Sequence, residues 1–361
     1  MALPRSTGRV ARKLDGRRRK VVAALAEHAA AASLHDALRS GEADADAGLE
    51  SARGHARAVR ALGYSGDGRL LATASDDRTA RVWRSADGHL VATLRGHVDR
   101  VTCCAVSLDG SRVATASRDR TAAVWSADDG KRLRVLEGHS RPLWAVAFSG
   151  DGRLVATGGA DKTVRLWRST SGEAAVLIRG TPLDDDGHSD DVTCLAFPRH
   201  GMRVLSGSRD RTLRLWDAES GALLVLYDAR RLDPSDYEKT IDGHALPLTC
   251  CEFSRDGLKV LSASADGTVK VWGRDTGAVE RSFRGDGRAA AAAFVRDAGR
   301  VLVARGSDVQ YLNAATGDVL SRYDAGGDVT CVAPSPVDRL TFAAATARGA
   351  IHRVRVHHDP G

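Results

Sequence analysis

The chain has 361 residues, 43% hydrophobic and 27% charged, a globular composition that excludes disorder throughout and leaves room for one large or two medium domains. Its formal charge of +7 sits in one place: residues 1–20 hold Arg5, Arg9, Arg12, Lys13, Arg17, Arg18, Arg19 and Lys20 against Asp15 alone. The remainder balances, so bulk charge marks no basic face on the body, and no apolar run approaches the ~20 residues of a membrane span.

No secretory signal opens the chain, which predicts an intracellular protein, cytoplasmic or nuclear. Residues 1–20 read as a basic arm. Within it "LDGRRRK" resembles a nuclear-import or RNA-binding patch, giving RNA or an import receptor as partners, and the Arg-rich, acid-poor start also resembles an organelle transit peptide. Residues 21–39, "VVAALAEHAAAASLHDALR", predict a helix that ends at Gly41 and carries Val21, Leu25, Leu34 and Leu38 partly on one face.

A repeat follows. "ATASDDRTARVW" (72–83) and "ATASRDRTAAVW" (114–125) agree at ten of twelve positions. Segments of this type close at Trp83, Trp125, Trp167, Trp216 and Trp272, spaced by 42, 42, 49 and 56 residues, and each follows a Gly-His pair at His55, His97, His139, His188 or His244. Turn signals cut every unit into four strand-sized pieces, as in "LWAVAF", "RLVATGG", "TVRLW" and "EAAVLI". Alternation is only partial, as expected for sheets covered on both faces, and the period points to stacked sheet repeats and away from helical solenoids. Two insertions, "TPLDDDGHSDD" (181–191) and "ARRLDPSDYEKTID" (229–242), precede Gly-His pairs and are expected on one rim. Two degenerate units, 289–320 and 328–356, put Leu312 and Val354 at the Trp position.

Over residues 48–357 these features resemble the WD-repeat β-propeller family. The resemblance implies an all-β fold, a seven-bladed β-propeller of four-stranded antiparallel blades with a short N-terminal helical extension. The expected organisation is a basic arm plus helix over 1–46, the propeller over 47–357 and a tail over 358–361, with "AGLESARGH" (47–55) as the outermost strand of the seventh blade. It also implies a hydrogen-bonded network in each strong blade, from Trp through a hydroxyl and His to Asp. The sets are His55, Thr73, Asp77 and Trp83; His97, Thr115 or Ser117, Asp119 and Trp125; His139, Thr157, Asp161 and Trp167; His188, Ser206, Asp210 and Trp216; and His244, Ser262, Asp266 and Trp272. Indole offers one donor, a hydroxyl accepts it and passes one on, and His bridges hydroxyl to carboxylate. Only Trp216-Asp217 keeps the pair that names the family.

Five equivalent His and Asp sets cannot each be an active site, so they are expected to be structural. Cys103, Cys194, Cys250 and Cys331 share one inner-strand position in four blades and read as small buried apolar residues, with no CxxC pair. The Asp-rich insertion lacks the ligand spacing and glycine of a calcium loop and is expected to be solvated. No serine-elbow, Walker, HExxH or paired-glycine motif occurs, so neither enzyme activity nor a cofactor or metal is expected.

The resemblance further implies peptide binding on the narrow face, from the start of the inner strand and the residue before the network Asp. Carried over, these positions gather Arg60, Arg100, Arg118 and Arg209 around Trp144, beside Asp76 and Asp191. Arg and Trp are enriched at binding hot spots, and the expected partners are proteins or peptides, acidic or phosphorylated. A scaffold is the leading expectation, with a nuclear RNA-protein assembly as the alternative. A ubiquitin-ligase substrate receptor is weaker: related receptors carry Trp-Asp-x-Arg, and Glu219 stands at the last position here.

Overall fold

Runs of five or six residues rich in Val, Ala, Leu and Thr, each ended by a glycine or aspartate turn, form 27 strands among the described residues. The structure, a computed structural model, describes residues 54–179, 186–227, 243–296 and 298–356. The expected helix over 21–39 and nearly all of the expected strand over 47–55 lie outside the described residues, as do most of the two insertions.

The strands form seven antiparallel sheets in simple chain order. Six have four strands, covering Val59–Arg95, Val101–Leu136, Leu143–Ile178, Val192–Tyr227, Leu248–Arg284 and Ala289–Asp324; the seventh, Val329–Arg355, has three among the described residues. The first strand of each sheet packs against the first strand of the next, and that of sheet 7 against that of sheet 1. Sheets therefore follow one another around a closed ring, with the first strands innermost.

Seven apolar clusters fill the seams, each built from two neighbouring sheets. The repeated Trp explains itself here. Trp125 lies in the seam with sheet 1, Trp167 with sheet 2, Trp216 with sheet 3, Trp272 with sheet 4 and Trp83 with sheet 7. Each of these indoles is at most 4% exposed, so each closes one seam with the largest apolar side chain available. Strand register puts Leu312 opposite Val301 and Val354 opposite Phe342, the positions that Trp125 and Trp272 take opposite Val113 and Val260. In those two seams the missing ring volume comes from elsewhere: Phe283 and Phe294 join Leu312, and Tyr311, Tyr323 and Phe342 surround Val354.

The innermost strands carry a feature with no trace in the repeat period. In all seven sheets the register slips by one residue beside the start of this strand, between Val59 and Ala61 or Val101 and Cys103, for example. Such a bulge leaves one residue unpaired and re-aims its side chain. In sheets 2, 4, 5 and 7 that residue is a threonine whose hydroxyl crosses the seam. Thr102 donates to the Leu143 carbonyl at 2.9 Å, Thr193 to Leu248 at 2.9 Å, Thr249 to Ala289 at 2.7 Å and Thr330 to Val59 at 2.5 Å. The last of these joins sheet 7 to sheet 1 and shuts the ring.

Candidate functional site

The repeated polar set assembles with near-identical geometry in four sheets. Trp83, Trp125, Trp167 and Trp216 donate from Nε1 to Thr73, Thr115, Thr157 and Ser206 at 2.7–2.9 Å. His Nε2 meets the same hydroxyl at 2.7–2.8 Å, and Nδ1 lies 2.8 Å from Asp77, Asp119, Asp161 or Asp210. Thr115 is the hydroxyl of sheet 2. Ser117 instead bonds the Asp99 carbonyl and accepts the Asp119 N–H.

These contacts define the proton positions. The carboxylate accepts a hydrogen bond from Nδ1–H, so Nε2 accepts from the hydroxyl, which accepts from indole. Burial lowers the pKa of His55 and His188 against the pull of their carboxylates, keeping both rings neutral. Burial pushes Asp161 up, but the hydrogen bonds from His139, Thr163 and the Ser140 N–H outweigh it and hold that acid at about 2. The His side chains are 0–4% exposed and the hydroxyls fully buried, so each set ties the strands of its sheet together in the interior.

Sheet 5 differs. His244 Nδ1 bonds Thr268 Oγ1 at 2.8 Å and stands 3.8 Å from Asp266, while its Nε2 and Trp272 share Ser262 as elsewhere. Thr268 donates to Asp266, so the link to the acid passes through one more hydroxyl. The other four sheets have the same threonine, Thr79, Thr121, Thr163 and Thr212, each donating to the network Asp at 2.6–2.8 Å. The repeated Asp-x-Thr was the available signal. Its middle residue takes a positive φ, 71° at Arg78, 73° at Arg120, 66° at Lys162, 75° at Arg211 and 81° at Gly267. Sheet 5 needs glycine there, because a Cβ on Gly267 would lie 2.6 Å from the Gly287 carbonyl oxygen and 2.8 Å from that of Gly285.

In sheets 6 and 7 the network is dropped as a unit. Where the other sheets have a hydroxyl opposite a third-strand residue, Val303 faces Gln310 and Ala344 faces His352. With neither indole nor hydroxyl present, no member is left without its partner.

The bulge explains the candidate face. Sheets 1 and 3 carry Arg60 and Trp144 where other sheets have the seam-crossing threonine, so these two side chains emerge at the face where the inner strands begin. Arg60 donates from Nε to Asp76 at 3.0 Å, and Arg100 Nη1 lies 3.8 Å from the same carboxylate. Asp191 accepts the Trp144 Nε1 proton at 3.0 Å and pairs with Arg209 at 3.4 Å. The guanidiniums of Arg118 and Arg209 lie 5.6 and 6.0 Å from the Trp144 ring centroid. Three arginines thus meet two carboxylates while Arg118 lies over Trp144, and the Arg60, Arg100 and Arg209 side chains remain 43–51% exposed. The cluster is pre-ordered, net positive and open to solvent.

All six cysteines are free. Burial pushes the Cys103 thiol up to about 11 and Cys331 to about 12, and Cys250 donates to the Ala292 carbonyl across a seam at 2.9 Å. Of the four equivalent cysteines expected to be buried, only Cys194 is, while Cys103, Cys250 and Cys331 are half-buried and Cys250 lines the channel; protonated thiols are poor nucleophiles. Among the described residues no group of three or more His, Cys, Asp or Glu is placed to hold a metal ion, and no helix is long and apolar enough to cross a membrane.

Comparison with known families matches five segments, 49–84, 88–126, 130–168, 180–217 and 235–273, to the WD domain, G-beta repeat. No curated protein sequence matches the chain. With seven sheets around one ring and five matched repeats, the chain belongs to the WD-repeat β-propeller family, whose members generally serve as protein-interaction scaffolds.

Proposed function

We propose that the chain is a non-enzymatic scaffold that binds acidic or phosphorylated peptides on the face where the inner strands begin, with Trp144, Arg60, Arg100, Arg118 and Arg209 as the contact set. The stacking of Arg118 and Arg209 on Trp144 is the observation that supports it most directly. A guanidinium stacked on an indole keeps its in-plane N–H fork for carboxylate or phosphate, and Arg118 forms no ion pair among the described residues. Trp144→Thr separates binding from folding, because it restores the residue that crosses the seam in four other sheets. The expected result is about 30-fold weaker binding of an acidic or phosphorylated partner peptide with an unchanged melting temperature. Arg100→Glu with Arg118→Glu abolishes pull-down of such partners. Undiminished capture by both variants rejects the site.

A second reading rests on the charge of the N-terminal arm, where residues 1–20 hold the whole excess of +7. In that reading the arm binds RNA phosphates while the ring binds proteins. RNA affinity then falls steeply with salt, and deleting residues 1–20 removes the dependence. Salt-independent RNA binding, or binding that survives the deletion, counts against it.

A further inference from the structure

The opposite end of the central channel has a different chemistry. There the inner strands run out into tight turns, and sheets 4, 5 and 6 each place an arginine at the same turn position: Arg199, Arg255 and Arg296. Sheets 1, 2 and 3 have Gly66, Leu108 and Gly150 at that position, so the charge is confined to one sector of the mouth. The channel holds a cavity of about 410 Å³ lined by residues from all seven sheets, within the ~300–1,000 Å³ of small-molecule sites. A side chamber of about 200 Å³ is lined by all three arginines and shares Phe197, Arg199, Glu252, Pro334 and Pro336 with the channel.

Among the described residues no ion pair joins these three arginines to a carboxylate, although Glu252 lines the same chamber and Asp256 follows Arg255 in the chain. Asp256, in the turn of Arg255, is occupied by Ser254 Oγ at 2.5 Å and the Leu258 N–H at 3.0 Å. Arg255 and Arg296 each place one Nη1 on a backbone carbonyl, Pro336 at 3.5 Å and Val337 at 3.0 Å, which fixes their stems and leaves the rest of each fork. Burial, followed by the like charges of Arg255 and Arg296, depresses the Arg199 pKa, and no carboxylate acts on it in the opposite sense. Gly150 holds the arginine turn in place: a Cβ there would collide with the Arg199 carbonyl, so the two turns touch through backbone.

We propose that this chamber is a binding site for a small, multiply charged phosphate-bearing anion, clamped by Arg199, Arg255 and Arg296, with the body of the ligand in the adjoining channel. Guanidinium forks match phosphate oxygens in pairs, and a polyanion relieves the repulsion among three neighbouring cations. Phe197, Pro334 and Pro336 supply apolar walls for the uncharged part. The site lies at the other end of the channel from Trp144 and stands or falls separately from the peptide face.

The test is hydrogen exchange read by mass spectrometry on the full chain at low ionic strength, with sodium tripolyphosphate as the free anion. Phosphatidylcholine vesicles with and without phosphatidylinositol bisphosphate test a lipid headgroup as the source. The expected result is slowed exchange in the turns 198–201 and 254–257, lost in Arg199→Ala with Arg255→Ala and partly kept in Arg199→Lys, which retains charge without the fork. Unchanged exchange over 143–168 in these variants shows that the ring still folds. The same turns protected by phosphoinositide vesicles alone also support the site and assign it a headgroup. Protection confined to residues 1–20, or equal in wild type and the double variant, overturns the proposal.

Discussion

His139→Ala lowers stability by about 2–5 kcal/mol, although it changes one of 361 residues and touches no proposed binding surface. The ring holds Thr157 at 2.8 Å and Asp161 at 2.8 Å, and its side chain is fully enclosed. Its removal leaves the Thr157 hydroxyl only a long 3.4 Å contact to the Arg165 carbonyl and takes the His139 bond from Asp161, which keeps Thr163 and the Ser140 N–H; these weakened partners and the cavity left by the ring together supply the loss of about 2–5 kcal/mol. Because the members act as a unit, Thr157→Val combined with Trp167→Leu, the pair that sheet 6 uses as Val303 and Leu312, costs less than the sum of its parts by at least about 0.5 kcal/mol. Urea titration supplies the energies, and native-state hydrogen exchange over 143–168 locates them. A His139→Ala variant within about 0.5 kcal/mol of the parent rejects the structural role of the network.

Glu252→Gln stabilises the chain at pH 8 and leaves it unchanged near pH 4. Glu252 lines the channel and accepts the Phe294 N–H at 2.9 Å, and burial, opposed by that single hydrogen bond, raises its pKa from 4.5 to about 7. Below 4.5 the acid is protonated folded or unfolded and contributes no pH dependence. Between 4.5 and about 7 the unfolded chain releases the proton while the folded chain retains it, so stability falls as pH rises and levels off above about 7. The full gap corresponds to roughly 3 kcal/mol, and water in the channel reduces the expected effect to about 1–2 kcal/mol. Glutamine keeps the carbonyl that Phe294 needs and cannot ionise. Melting temperatures of both proteins between pH 4 and 8 give the result, and parallel curves would show that Glu252 ionises freely in the channel.

The repeat itself was legible in the sequence because its Gly-His pairs, Asp and Trp recur with a period near 42 residues, whereas the ring and the indole-to-carboxylate sets came with the resemblance to the WD-repeat β-propeller family that those residues carry. The threonine of Asp-x-Thr recurs equally well, yet its role depends on a left-handed residue at the turn, which the letters Arg78, Arg120 and Lys162 do not announce. The bulge was hidden for a different reason. It shifts pairing without changing strand length, and so it could not be read that Thr102 and Thr193 cross a seam while Arg60 and Trp144, in the same place, face outward. Arg199, Arg255 and Arg296 look like ordinary turn residues until the ring brings sheets 4, 5 and 6 side by side.

The bond from Thr330 to Val59 spans 271 positions of chain. Until the ribosome has delivered Ile351, the indole of Trp83 and the side chain of Leu71 have no lasting cover, since their cluster is completed by Ala343, Ala345 and Ile351. Most of the polypeptide must therefore emerge with one apolar surface exposed, inviting association between nascent chains and slow, long-range closure. Truncation shortly before Ile351 should yield aggregates even though six of the seven sheets are already encoded.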